Sequence, residues 1–146
     1  MIPFCLVLSV FGTNDVHSAQ MDVQIQDVKF IDANHGWVLW TLTNPDGSLN
    51  FQLAYTIDNG KSWTDHSLSL FETGDIASFA EKAEMGWFNS QSGWISIKQT
   101  RGFYFSIGTL FTTSDRGENW QRFTLPVADK TYFSDPKNGW IRTPAG

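Results

Sequence analysis

Cysteine is almost missing from this chain. The single Cys5 among 146 residues permits no internal disulfide, and neither a paired zinc motif nor a CxxC redox motif can be built from it. Positive charge is scarce as well. Ten Lys plus Arg stand against 15 Asp plus Glu, giving a net charge of -5 and a pI near 4.9, with no basic cluster anywhere in the chain. Neutralising the phosphates of a duplex requires clustered cations, so nucleic acid is excluded as a partner. Charged residues make up only 17% and hydrophobic ones 41%. That balance suits one folded domain and excludes a disordered chain.

A long apolar run is also lacking. IPFCLVLSVF at 2–11 spans ten residues, against about 20 for a helix that crosses a bilayer, so no transmembrane span is expected. Small and polar residues follow, GTNDVHSAQ, so residues 1–19 resemble a secretory signal peptide cleaved after Ser18 or Ala19, which implies an extracytoplasmic location. No Lys or Arg precedes Lys29. Either the true start lies upstream, or the segment is a buried β-strand, favoured by Val7, Val10 and Phe11, that pairs with a later sheet. Cys5 reads as an apolar member of this segment.

What is present is internal repetition. An aromatic-x-[DN]-x-x-x-G-W motif occurs as FIDANHGW (Phe30, Asp32, Gly36, Trp37), WFNSQSGW (Trp87, Asn89, Gly93, Trp94) and FSDPKNGW (Phe133, Asp135, Gly139, Trp140). A T-x-D-x-G-x-x-W motif occurs as TIDNGKSW (Thr56, Asp58, Gly60, Trp63) and TSDRGENW (Thr113, Asp115, Gly117, Trp120). The second follows the first by 26 residues in both copies, and both motifs have a period of 57. The third unit begins sooner, 46 residues after Trp87, so the segment after Trp120 is a shorter, variable loop.

Each unit reads as four short strands broken by turn chemistry. In the first, DVQIQDVKFI, WVLWTLT and FQLAYT are separated by DANHG and NPDGS and end at IDNGK, with a last strand starting at Trp63. Gly36, Gly47 and Gly60 are expected to supply positive φ, and Asn59-Gly60 is a strong hairpin signal. The second unit predicts strands near 83–88, 93–98, 105–113 and 119–125, while ASFAEKAEM at 77–85 has enough helix formers for one loose turn in a connection. Four-stranded antiparallel units at this period are the signature of a β-propeller, whose blades pack face to face. The expected fold is therefore all-β: over 22–146, a partial propeller with blades at 22–70 and 83–126 and the first two strands of a third at 130–143. Burial of both blade faces accounts for the tryptophans, since six of the seven fall within the motifs and only Trp40 lies outside.

T-x-D-x-G-x-x-W is the Asp box, and residues 22–146 resemble the BNR or Asp-box propellers. The aromatic-x-[DN]-x-x-x-G-W element further resembles the photosystem II assembly and stability factor-like branch of that superfamily, to which sialidases and sortilin-type receptors are also related. The resemblance implies that the box is a hairpin turn between the third and fourth strands, at the blade periphery away from the central axis. Locally, Asp58 and Asp115 can accept hydrogen bonds from turn amides, Gly60 and Gly117 permit the reversal, and Trp63 and Trp120 pack beneath it. One Asp per turn falls far short of the six to eight oxygens that calcium takes.

Other candidate residues are dispersed. His17, His35 and His66 lack partners at metal-ligand spacing, there is no G-x-S-x-G elbow, and His35 fills a turn position occupied by Ser92 and Asn138 in the other copies. Phe103, Tyr104 and Phe105 beside Arg101 form an aromatic run, which reads as a buried strand in preference to a ligand platform. Resemblance to sialidases implies an arginine triad, a tyrosine and glutamate nucleophile pair and an aspartate acid. Arg116 lies inside an Asp box, Arg101, Arg122 and Arg142 have no F-R-I-P-like context, and Glu72, Glu81, Glu84 and Glu118 fall in expected loops or turns. A sortilin-type receptor would need a larger propeller and a cysteine-rich domain. The reading is a noncatalytic extracytoplasmic binding or assembly module without metal or cofactor, its partner a protein or carbohydrate; the alternative is a sialidase-like fragment lacking its catalytic residues. At a period of 57, the chain is expected to be an incomplete propeller that self-associates through open blade faces or belongs to a longer reading frame.

Overall fold

The computed structural model describes residues 22–66, 80–100, 106–127 and 129–142. The readings of residues 1–19, Cys5, His17, Glu72, Arg101 and the Phe103–Phe105 run lie outside these residues. Within them the chain is all-β, with two four-stranded antiparallel sheets and a hairpin. The first sheet is a meander of β1 (Asp22–Phe30), β2 (Gly36–Thr43), β3 (Leu49–Thr56) and β4 (Thr64–Asp65). The second consists of β5 (Ala80–Trp87), β6 (Gly93–Thr100), β7 (Ser106–Thr113) and β8 (Gln121–Leu125) in the same order. The hairpin pairs β9 (Thr131–Asp135) with β10 (Asn138–Ile141).

Registers in the two sheets coincide at an offset of 57: Gly36 pairs with Thr56 and Thr43 with Leu49, as Gly93 pairs with Thr113 and Thr100 with Ser106. One irregularity rescues the pattern of β1. In DVQIQDVKF the apolar residues sit at odd positions 23 and 25 and then at even positions 28 and 30, so a regular strand would split them between faces. The register shift between Ile25 and Asp27 absorbs Gln26 as a bulge. Val23, Ile25, Val28 and Phe30 then pair with Leu42, Trp40, Val38 and Gly36 and share one face.

The opposite face of the first sheet carries Trp37, Leu39, Phe51 and Leu53, each almost fully buried against Ala83, Met85, Ile95, Ile97 and Phe111 of the second sheet. This sheet-on-sheet layer is the core. The second sheet is covered on both sides, because Ile95 and Ile97 face the first sheet while Trp94 and Ser96 meet the hairpin at Phe133 and Thr131. That explains why β6 reads GWISIKQT without clean alternation of apolar and polar residues.

Three sequence expectations need correction. Gly36 does not have a positive φ; it lies in β2, and its role is the close approach of a ring described below. Residues from Ala80 onward join the strand β5, so helix formers at 80–85 are overridden by pairing with β6 and by burial of Ala83 and Met85. The fourth strands begin at Thr64 and Gln121, just after the motif tryptophans, because Trp63 and Trp120 fold back against the glycines of their turns.

Candidate functional site

The two motifs sit at one end of each sheet, in the turns β1–β2 and β3–β4, or β5–β6 and β7–β8. In the aromatic-x-[DN]-x-x-x-G-W turns, one side-chain oxygen caps two amides. Asp32 Oδ1 accepts from Asn34 N (2.7 Å) and His35 N (2.8 Å), Asn89 Oδ1 from Gln91 N and Ser92 N (2.8 Å each), and Asp135 Oδ1 from Lys137 N (2.9 Å) and Asn138 N (3.0 Å). Asn89 makes the same two bonds without a charge. The position therefore needs an acceptor oxygen, not a carboxylate.

The T-x-D-x-G-x-x-W turns are tighter. Asn59 and Gly60 (φ 63° and 77°), like Arg116 and Gly117 (66° and 96°), place two successive residues in the left-handed region. The Thr hydroxyl holds that geometry by donating to the Asp and accepting from the glycine amide. Thr56 Oγ1 lies 2.8 Å from Asp58 Oδ1 and 2.9 Å from Gly60 N, and Thr113 Oγ1 lies 2.8 Å from Asp115 Oδ1 and 3.0 Å from Gly117 N. The carboxylate then reaches across the turn. Asp58 accepts from Ser62 N (2.8 Å) and Ser62 Oγ (2.6 Å), and Asp115 from Asn119 N (2.9 Å) and Asn119 Nδ2 (2.8 Å).

These donors stabilise the charged form. The Ser62 hydroxyl foremost, then the Ser62 amide and Thr56 hydroxyl, lower the Asp58 pKa to about 2; the Asn119 amide foremost does the same for Asp115, also to about 2. A general acid near neutral pH needs the opposite shift. Beneath the second turn, Trp120 Nε1 donates to Gly117 O at 2.9 Å, and Trp63 lies against Gly60 in the first.

Neighbouring turns are tied by one backbone bond in each sheet, Asn59 N to Asn34 O (3.1 Å) and Arg116 N to Gln91 O (2.7 Å). Behind them, each motif's first aromatic ring lies over its own glycine. A Cβ at Gly36, Gly93 or Gly139 would meet the ring of Phe30, Trp87 or Phe133 at 2.6, 2.4 and 2.6 Å. The six-residue spacing from aromatic to glycine exists because the two are direct cross-strand partners in all three copies.

The candidate catalytic residues occupy structural positions or separate elements. Arg116 lies over the Tyr55 ring at 5.4 Å, Arg122 is in β8, and Arg142 follows β10, 4.0 Å from Asp129. Glu84 Oε1 accepts from Thr131 N at 2.7 Å, His35 Nδ1 pairs with Asp32 at 2.8 Å, and His66 packs edge-on against Tyr55. Among the described residues, no three His, Cys, Asp or Glu side chains group as metal ligands.

Two grooves remain. One, of about 260 Å³, runs between the second sheet and the hairpin, with Phe88, Trp94, Trp120 and Phe133 on its walls and Asp115 and Asn119 at its edge. The other, of about 250 Å³, is lined by Lys82, Glu84, Lys98, Asp129 and Lys130. Comparison with known proteins adds no assignment. No family model, curated protein or solved structure matches the chain. Neither groove was anticipated from the sequence. Lys82, Lys98 and Lys130 are 16 and 32 residues apart, and only the pairing of β5 with β6 and the docking of the hairpin assemble them.

Proposed function

We propose that this chain is a noncatalytic binding or assembly module of the Asp-box β-propeller type, similar to the photosystem II assembly and stability factor-like proteins and placed outside the cytoplasm. The observation that carries the reading is the state of the motif carboxylates. Asp58 and Asp115 spend their oxygens on amides and hydroxyls of their own turns, and those bonds move their pKa down, away from the range a general acid needs. The two sheets and the hairpin are the blades of this reading, stacked through ring contacts and joined by variable segments. A partner protein or carbohydrate would lie along the groove between the second sheet and the hairpin, where the half-buried rings of Phe88 and Phe133 adjoin the polar Asp115 and Asn119.

A panel of fluorogenic glycosides that includes a sialoside tests the noncatalytic part. No turnover is expected from purified protein. Turnover that survives purification and disappears on replacing one Glu or Tyr would replace this reading with that of a sialidase-like fragment.

A further inference from the structure

The junction between units follows one contact rule, and among the described residues its ring half is unfilled at both ends. Its polar half is not repeated there, since Lys130 stands at the position of Asp27 and Glu84 and the Val28 amide already donates to Asp27 Oδ1. At the first junction the Trp37 ring stacks on Trp87 at 3.9 Å with planes 12° apart, and Asp27 Oδ2 accepts from Met85 N at 3.0 Å. At the second, Trp94 meets Phe133 at 5.2 Å, and Glu84 Oε1 accepts from Thr131 N at 2.7 Å. The tryptophan of each G-W thus covers the first aromatic of the following motif, and a carboxylate on the leading strand caps the following strand's amide.

Trp87 has three ring neighbours: its own Gly93 below, its own Trp120 edge-on at 6.1 Å, and Trp37 from the preceding sheet. Phe30 has the counterparts of the first two, Gly36 below and Trp63 edge-on at 6.3 Å. Among the described residues no tryptophan of a preceding unit covers it, and it is 47% exposed on the face it shares with Val28, Ile25 and Val23. At the other end Trp140, the third G-W tryptophan, is 57% exposed beside Tyr132.

We propose that these two faces are halves of one interface, joined head to tail between two copies of this chain: Trp140 of one copy stacks on Phe30 of the next. The occupant follows from continuity with the internal junctions, since the two exposed surfaces carry the complementary members of a ring pair already formed twice within the chain. Such a contact is heterologous, so copies either add in series or close into a ring. The proposal does not depend on the absence of catalysis.

The test uses the full chain and light scattering after size exclusion. Wild-type protein should exceed 16.5 kDa as its concentration rises. F30E lacks one face and W140E the other, so each alone should remain at 16.5 kDa. Their equimolar mixture should form a species of twice that mass and nothing larger, because only one intact pair of faces remains. F30W supplies the larger ring found at Trp87 and should shift association to lower concentration. Circular dichroism checks that each variant retains its sheet; should F30E or W140E lose it, I25E and Y132E disrupt the same two faces. A wild type at 16.5 kDa throughout, association of either single variant, or a mixture that stays monomeric would each overturn the proposal.

Discussion

At the scale of single residues, Thr56 and Thr113 govern the turns more than the conspicuous aspartates do. Each is buried, and its hydroxyl bridges the carboxylate and the amide of a left-handed glycine. Thr113→Val keeps the shape but strands the buried Gly117 amide, so urea denaturation should show a loss of about 1–3 kcal/mol. The aspartates are read through pH. Unfolded, their carboxyls titrate near 3.8; folded, Asp58 and Asp115 titrate at about 2. A depressed folded pKa gives stability that is complete above about pH 4 and is lost as pH falls toward 2. Thermal melts of the wild type should therefore fall across that window. The double variant D58N/D115N, which cannot titrate there, should show a shallower fall. An equal slope in both proteins would mean that these groups do not set the acid response.

At the scale of elements, the glycine and its covering ring are the unit that matters. In Gly93→Ala the new Cβ would sit 2.4 Å from the Trp87 ring and push it against Trp37. The expected cost is about 1–3 kcal/mol, accompanied by altered tryptophan fluorescence. Gly47→Ala is the control. Its φ of 82° strains the backbone, but nothing lies within 4 Å of the new atom, so stability should fall with the fluorescence unchanged. If G47A changed the fluorescence as much as G93A does, the ring contact would not be the cause.

Much of this level was legible beforehand. The two motifs in phase marked the strand order, the paired turns and their aspartates, because turn chemistry is local and leaves fixed residues at fixed offsets. The reason for Gly36 was not legible. A glycine demanded by a positive φ and one demanded by a ring across the strand look alike until the register is known, and here the register shows Phe30 opposite Gly36. Nor could propensity foresee that Ala80–Trp87 would be a strand, since long-range pairing with β6 decides it. The grooves and the Lys82–Lys98–Lys130 grouping depend on contacts between units, about which local patterns say nothing.

At the scale of the whole molecule, stability rests on faces meeting, since the second sheet is covered by the first on one side and by the hairpin on the other. The junction is built around the Trp37–Trp87 stack, whose two indole N–H groups are buried without a protein acceptor. Replacing either ring by Phe therefore removes an unpartnered donor along with the indole, so such variants should fold. Two indoles in van der Waals contact couple their excited states and give an exciton couplet in far-ultraviolet circular dichroism. Face-to-face stacking of the sheets through this pair predicts that the couplet is present in the native protein, is reduced in W37F, which keeps the Trp87–Trp120 pair at 6.1 Å, is reduced further in W87F, which removes both pairs, and is unchanged in W140F. A couplet of undiminished amplitude in W37F, or one that never appears in the folded chain, would contradict the stacked arrangement.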